Sequence, residues 1–312
     1  MSPWATWRGL WRGVEAPTAM ALVRILLASC LLYDLVLVGQ HHLVTPLWGP
    51  LDAGGFGDAL NRSEPVELAA WTGGTARGIR WAWRVLVVAV TCVAVGLFTR
   101  PMALLTVVLS AQFARILPDA DRGIDMLIRN VFCIFVAFPS GRCWGLDAVL
   151  FGRCDTIPAW PRRLLVLQLA GVYFAAGVQK TAVAWWPWGD FSALYIVLQD
   201  PAVARVPLAG LARLYPLTQL ATALTMLFEW GAWVVPLAAW YRSTRVRGGR
   251  LRAWFNRLDV RTVWVPMGVA LHLGIAATLQ IGIFPWAMLA LYPAFFHPDE
   301  LRAFWRRRGL GG

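Results

Sequence analysis

Long apolar runs separated by short polar breaks dominate the chain. They cover residues 18–38, 79–99, 101–117, 124–138, 164–181, 216–240 and 263–283, with a shorter run at 285–296. About 20 apolar residues in a helix cross the hydrocarbon core of a bilayer. The pattern therefore predicts an all-α integral membrane protein, a polytopic bundle of about eight transmembrane helices forming one membrane domain over residues 1–312. Runs 101–117 and 124–138 are short, which calls for a tilt or a thin local bilayer. Residues 39–78 form a Gly- and Pro-rich loop with His41, His42, Asp52, Asp58, Glu64 and Glu67. Residues 1–17 carry Trp4, Trp7 and Trp11 among Arg8, Arg12 and Glu15, which predicts a helix lying in the interface and no cleavable signal peptide. In segment 182–215, Trp185-Trp186-Pro187-Trp188-Gly189 cannot continue a helix and reads as an aromatic interfacial turn or a re-entrant segment.

Composition strengthens the membrane reading, with 58% apolar and only 15% charged residues. The net charge of +12 does not point to nucleic acid, because the arginines cluster in short connections between apolar runs. Eight spans place both termini on one side of the membrane. The terminal arm, the connections on that side and the basic tail 297–312, with Arg306, Arg307 and Arg308, hold 18 arginines, against 6 in the opposite loops. By the positive-inside rule both termini are cytoplasmic, and segments 39–78 and 185–215 face outward. Five cysteines include no Cys-x-x-Cys pair, which speaks against a dithiol centre or structural zinc. His41 and His42 lack a third ligand at a convincing spacing, so no metal is expected.

Charged groups inside apolar runs are costly and concentrate where function needs them. Lys180 is the one lysine among 29 basic residues. At the end of an apolar run an ammonium can become a base, whereas a guanidinium stays protonated. The plainer alternative is a cation that snorkels to the surface. Asp34, Arg115, Asp125, Arg129 and Lys180 are all expected in the outer halves of their spans. Asp125 and Arg129, four apart, are expected to form a salt bridge. Glu229 and His272 lie at mid-span. Glu229 is expected to pair with His272 or Arg24, either relaying a proton or orienting a polar ligand, or simply as satisfied packing. Trp185, Trp186 and Trp188 belong to an interfacial belt or wall a pocket for a flat lipophilic ligand.

The stretch Tyr173-Phe174-Ala175-Ala176-Gly177-Val178-Gln179-Lys180, followed by Trp185 or Trp186, Gly189 and Tyr195, resembles the signature of the horizontally transferred transmembrane domain (HTTM) family. Arg24 to Asp34, Cys143-Trp144-Gly145-Leu146-Asp147, and His272 to Phe296 agree with it, so the resemblance covers nearly the whole chain. That family includes the membrane portion of vitamin K-dependent gamma-carboxylase and short bacterial maturation proteins of the sporulation-delaying toxin type. The resemblance implies that Lys180 is the base in the oxygenation of reduced vitamin K or another quinol. It also implies carbon dioxide and oxygen as co-substrates, and a site on the outer side. Two positions depart from the carboxylase: Gln179 stands where it has a second lysine, and Ile124 or Asp125 where it has a histidine.

Together these readings imply a carboxylase-like enzyme of a bacterial plasma (inner) membrane with catalytic Lys180, Asp125 and His272. Arg115 and Arg129 would hold anionic groups, Asp34 would tune them, and Tyr173, Glu229 and the tryptophans would line the cofactor site. Its partners would be membrane lipids and a secreted peptide substrate, without nucleic acid. The rival readings are a non-catalytic maturation protein for a secreted peptide and a lipid or proton carrier using Glu229 and His272. The large soluble region of the carboxylase is not expected here.

Overall fold

The computed structural model describes residues 3–57, 60, 66–205 and 210–307. Asp58, Arg62, Glu64 and Arg308 lie outside them. The described residues are helical nearly throughout. In chain order the helices are α1 (Pro3–Arg12), α2 (Thr18–Gln40), α3 (Val44–Trp48), α4 (Glu67–Thr72), α5 (Ala76–Val95), α6 (Thr99–Ile116), α7 (Gly123–Ala137) and α8 (Leu146–Phe151). There follow α9 (Trp160–Gln179), α10 (Ala193–Val197), α11 (Tyr215–Trp230), α12 (Val234–Ser243), α13 (Arg250–Arg257), α14 (Arg261–Thr278), α15 (Phe284–Ala290) and α16 (Pro298–Arg307). Strands β1 (Val14–Glu15) and β2 (Ile157–Pro158) make one antiparallel ribbon, Val14 facing Pro158.

Helices therefore stand at each of the eight positions that the apolar pattern predicts. Among the described residues, three helical stretches are long and apolar enough to cross a membrane: α2, α5, and the run from Leu211 through α11 and α12 to Ser243. A fourth arises if α13 and α14, bent by 55°, count as one broken span. Helices α7 and α15 fall short in length. The 15 residues of α7 extend only ~22 Å against a core of ~30 Å, and the 7 of α15 far less.

The chain divides into two compact units. The first comprises residues 14–161 and the segment from Phe296 onward; the second comprises residues 162–295 with the N-terminal segment up to Gly13. In the first unit α2 packs on α5, α5 on α6, and α6 on α7, with α16 against α2. Its core holds Leu27, Leu31, Leu86, Val90, Phe132 and Phe135. A polar lock joins the turns at one end. Arg24, wholly buried in α2, donates from Nη1 to Val93 O (2.9 Å) and Ala94 O (3.3 Å), and from Nη2 to Cys143 O (3.2 Å) and Trp144 O (2.8 Å). A cation on the last carbonyls of α5 suits the helix dipole. Asp147 does the converse at the start of α6, accepting from Phe98 N (2.7 Å), Thr99 N (3.0 Å) and Thr99 Oγ1 (2.7 Å). That carboxylate holds Phe98 at φ +44°, a left-handed conformation unusual for a bulky residue. Gly141 must be glycine, because a Cβ there would lie 2.0 Å from Thr99 Oγ1 and 2.3 Å from Asp147 Oδ2.

In the second unit α11 packs against α14, and α14 against α15. Helix α11 is built inside out. Leu217, Leu220, Leu224 and Leu227, spaced by three and four, are exposed, while Thr218, Thr222, Met226 and Glu229 are buried. A helix in water buries its leucines. The inverted arrangement fits a lipid exterior, where leucine meets acyl chains and polar groups find partners inside the protein. Lipid is thus the medium that this surface is made for.

Candidate functional site

Lys180 follows the last turn of α9. Gly177, one turn earlier, lets α9 approach α11 closely: a Cβ there would sit 3.1 Å from Trp230 Cδ1 and 3.2 Å from Glu229 Cβ. Across this contact Lys180 Nζ donates to Glu229 Oε1 at 2.8 Å and stands 2.7 Å from Oε2. It also donates to Ala176 O (3.3 Å) and lies 4.9 Å from the centre of the Trp185 ring. The side chains of Lys180 and Glu229 are 18% and 9% exposed, so the pair is largely out of water. Trp186 Nε1 donates to Lys180 O at 3.1 Å, fixing the turn after the helix, and Trp188 stacks on Trp186 at 5.3 Å with 5° between the rings. Segment 183–189 is two 3₁₀ turns split at Trp186–Pro187, so the helix does not continue through it.

A second polar cluster lies in the same unit. The Tyr173 hydroxyl is 2.7 Å from His272 Nε2 and 2.9 Å from the Tyr292 hydroxyl, all three residues being buried. Aromatic rings enclose it: Phe228 meets Tyr173 edge-on at 4.7 Å, and Trp264 stacks on Phe228 at 4.4 Å. Among the described residues Nδ1 of His272 has no hydrogen-bond partner. With one hydroxyl proton each, the two tyrosines and the imidazole form a chain along which a proton can shift by reorientation.

The first unit contains a cavity of about 290 Å³ with apolar walls that include Leu31, Leu35, Trp48, Trp83 and Phe132. Asp34, Asp121, Arg122, Asp125 and Arg129 lie on its lining. Arg122 spans the charged edge, donating from Nη2 to Asp34 Oδ2 (2.6 Å) and to Asp125 Oδ1 (2.9 Å), and from Nε to Asp125 Oδ2 (2.8 Å). Burial lowers the Arg122 pKa, but its hydrogen bonds with Asp125 and Asp34 outweigh burial and raise it, so the cation is permanent. Asp125 also accepts from the backbone N–H of Arg122 at 3.0 Å, capping α7. Arg129 forms a two-pronged pair with Asp121, at 2.7 and 2.6 Å.

Several expected pairings differ from these. Asp125 bonds Arg122 rather than Arg129, because as the third residue of α7 its carboxylate turns back to the helix start. Glu229 pairs with Lys180, not with His272 or Arg24. Arg24 belongs to the other unit and is taken up by the carbonyls of the α5 turn. Arg115, expected beside Arg129, is off the cavity lining and pairs with Glu67, both side chains being about half exposed. Asp34, Asp125 and Arg129 thus gather around one cavity, while Lys180, Glu229 and the tryptophans form a separate cluster, as do Tyr173 and His272. Arg122, Asp121 and Tyr292 escaped the sequence reading. The alternation of Asp119, Asp121, Arg122, Asp125 and Arg129 around a helix start was the available signal for the first two. Among the described residues no group of three or more His, Cys, Asp or Glu stands close enough to hold a metal ion, and no disulfide joins the cysteines.

The chain belongs to the HTTM domain family, which matches residues 14–211. That stretch includes the first unit's cavity, Tyr173, Lys180 and the tryptophan turn; Glu229, His272 and Tyr292 lie beyond it. No curated protein and no solved structure matches the chain.

Proposed function

We propose that this protein is a carboxylase-like membrane enzyme in which Lys180 is the base. The observation that carries the reading is the largely buried contact of Lys180 Nζ with the Glu229 carboxylate. A base must be neutral when it accepts a proton. Glu229 provides the means: a proton moved along the existing Nζ–H···Oε1 bond leaves an amine beside a carboxylic acid, and no net charge crosses the apolar interior. The face of Trp185 favours the ammonium when the proton returns.

The residues present also suit a quinol-type lipid such as reduced vitamin K. The cavity of the first unit, about 290 Å³, is near the lower end of the ~300–1,000 Å³ common for small-molecule sites. It offers room for a ring-sized head, with apolar walls and hydrogen-bonding groups on one edge. Bound, such a quinol would supply the reducing power that, with oxygen, generates a base strong enough to take a proton from the γ-carbon of a glutamate side chain, leaving the electron pair to which carbon dioxide adds. Arg122 and Arg129 would orient the head from the rim, and Asp34 and Asp125 would keep Arg122 in place. The substrate is proposed to be a secreted peptide presented on the outer side. In this reading α6, α7 and α9 also cross the membrane, and the apolar stretch Phe284–Phe295, α15 with the 3₁₀ turn after it, makes a short eighth span through a locally thinned bilayer. Both termini are then cytoplasmic in a plasma membrane, in line with the arginine bias of 18 to 6.

Organic extraction of the purified protein followed by mass spectrometry tests the reading. A stoichiometric quinone is expected, together with labelled carbon dioxide incorporation that Lys180→Arg abolishes while the fold survives. Bulk phospholipid alone, or full activity in Lys180→Arg, would move the assignment to a non-catalytic maturation protein that binds a secreted peptide.

A further inference from the structure

The connection between α12 and α14 carries a surface that the proposed chemistry leaves unused. Residues 242–261 hold seven arginines and one carboxylate, Asp259. That carboxylate is taken up by Arg242 (3.4 Å) and Arg261 (2.6 Å). Helix α13, in the middle, has two distinct faces. The inward face is tied to the end of α12: Arg252 lies over the Tyr241 ring at 5.3 Å and donates from Nε to Thr244 Oγ1 at 3.0 Å. Phe255 packs on Tyr241 at 4.9 Å, and Asn256 Nδ2 donates to Tyr241 O at 3.3 Å. The outward face is a stripe of Leu251, Trp254 and Leu258, spaced by three and four and 67%, 53% and 48% exposed. Arg250 and Arg257, seven apart, are exposed along one side of that stripe, and Arg245 and Val246 are exposed just before it.

The same end of α12 holds α1. Trp7 packs on Trp240 with ring centres 6.4 Å apart, while Trp4 is 63% exposed and Arg8 and Arg12 are exposed too. Two short helices with aromatic and aliphatic side chains outward, each flanked by arginines, thus share one end of a membrane-crossing stretch.

We propose that α1 and α13 form one platform that docks onto the anionic leaflet of the membrane, with their exposed apolar side chains in the acyl boundary and Arg8, Arg12, Arg245, Arg250 and Arg257 on phospholipid phosphates. Three points favour lipid over another partner. Only residues 258–260 separate α13 from α14, and residues 244–249 from α12, so α13 cannot leave the bilayer surface. The stripe would be wasted on nucleic acid, whereas an interfacial helix needs both a stripe and flanking cations. The arginines are neutralised by headgroups, each strengthening attachment to an anionic surface about fivefold. The inference is independent of any role for Lys180.

Hydrogen exchange on the intact protein in nanodiscs tests it. Peptides covering 3–12 and 245–258 are compared in phosphatidylcholine discs and in discs where part of that lipid is replaced by phosphatidylglycerol. Exchange in both segments is expected to slow at least roughly tenfold in the anionic discs. The gain over 245–258 should disappear in Arg245→Gln/Arg250→Gln/Arg257→Gln, and in the wild-type protein the gain over both segments should shrink as salt is raised. Equal exchange of the wild-type protein in the two discs overturns the proposal whether or not the triple variant folds. So does equal protection in neutral discs from added glycerol phosphate, which would make the surface a site for a soluble phosphate.

Discussion

Replacing Lys180 with methionine tests whether its contact with Glu229 is a buried ion pair that the fold depends on. The substitution keeps an unbranched stem against Trp185 and removes the charge. Glu229, 7% exposed, then faces Gly177 and Trp230 without a cation. Removing one member of a buried pair costs about 3–5 kcal/mol. The carboxylate has one escape, which is to take up a proton. From a free value near 4.3 this costs about 1.4 kcal/mol per pH unit, hence somewhat under 4 kcal/mol at pH 7 and about 1 at pH 5. The loss in Lys180→Met is therefore capped near 4 kcal/mol at pH 7, and the variant should regain most of it, relative to wild type, as the pH falls to 5. Glu229→Leu should cost less, because the Lys180 side chain retains 18% exposure and can turn its ammonium toward water. The double variant Lys180→Met/Glu229→Leu has no orphan charge and should lie within about 1 kcal/mol of wild type. Equilibrium unfolding of the purified protein in mixed detergent, at pH 5 and pH 7, gives the four stabilities of the cycle. A double variant no more stable than Lys180→Met, or a Lys180→Met penalty equal at the two pH values, would refute the reasoning.

Three further substitutions probe the rest of the molecule. In Gly268→Ala a Cβ would fall 2.1 Å from the Tyr292 hydroxyl and 2.7 Å from Phe228 Cζ, so a loss of about 1–3 kcal/mol is expected in the same unfolding assay, with the Tyr292–Tyr173 hydrogen bond displaced; wild-type stability would show that the two tyrosines are not held there. Asp147→Asn keeps the shape but removes the anion that accepts three hydrogen bonds at the start of α6, and should cost about 1–3 kcal/mol and loosen the amides of Phe98 and Thr99 in hydrogen exchange. Arg122→Gln cuts the tie between Asp34 of α2 and Asp125 of α7; a cysteine placed on the cavity wall, as in Ser110→Cys, should then react faster with a water-soluble maleimide, and an unchanged rate would show that Arg122 does not close the cavity edge.

Much of the helical frame was legible from apolar runs, because in lipid both faces of a helix are apolar and the polar punctuation stands out. Helices α2, α5 and α9 begin and end within a few residues of the predicted runs. The pairing of charges was not legible. Spacing along one helix suggested Asp125 with Arg129, but a carboxylate at a helix start is claimed by the local N–H groups, and Arg129 found Asp121 in the preceding turn. Glu229 and Lys180 meet only because Gly177 lets two helices approach, a fact of three-dimensional packing that residue spacing does not encode. The cluster of Tyr173, His272 and Tyr292 likewise depends on α9, α14 and the turn at Tyr292 converging.

The pairing also bears on what can bind. Each charged candidate meets an opposite charge inside its own unit: Asp34 and Asp125 through Arg122, Arg129 through Asp121, Arg115 through Glu67, and Lys180 through Glu229. An anionic ligand seeking Arg129 would have to displace Asp121 from a bidentate contact of 2.6–2.7 Å or share the guanidinium with it. A separate phosphate or carboxylate gains little from such an exchange, since one charge-assisted pair replaces another and the displaced aspartate is left in a largely apolar cavity. A neutral amphiphile meets no such obstacle. It can bury a ring among Leu31, Leu35, Trp48 and Phe132 and hydrogen-bond to carboxylate oxygens at the rim without breaking a pair. The charge arrangement therefore argues against Arg115 and Arg129 as an anion clamp. An uncharged lipid head, as proposed above, meets no such conflict among these pairs.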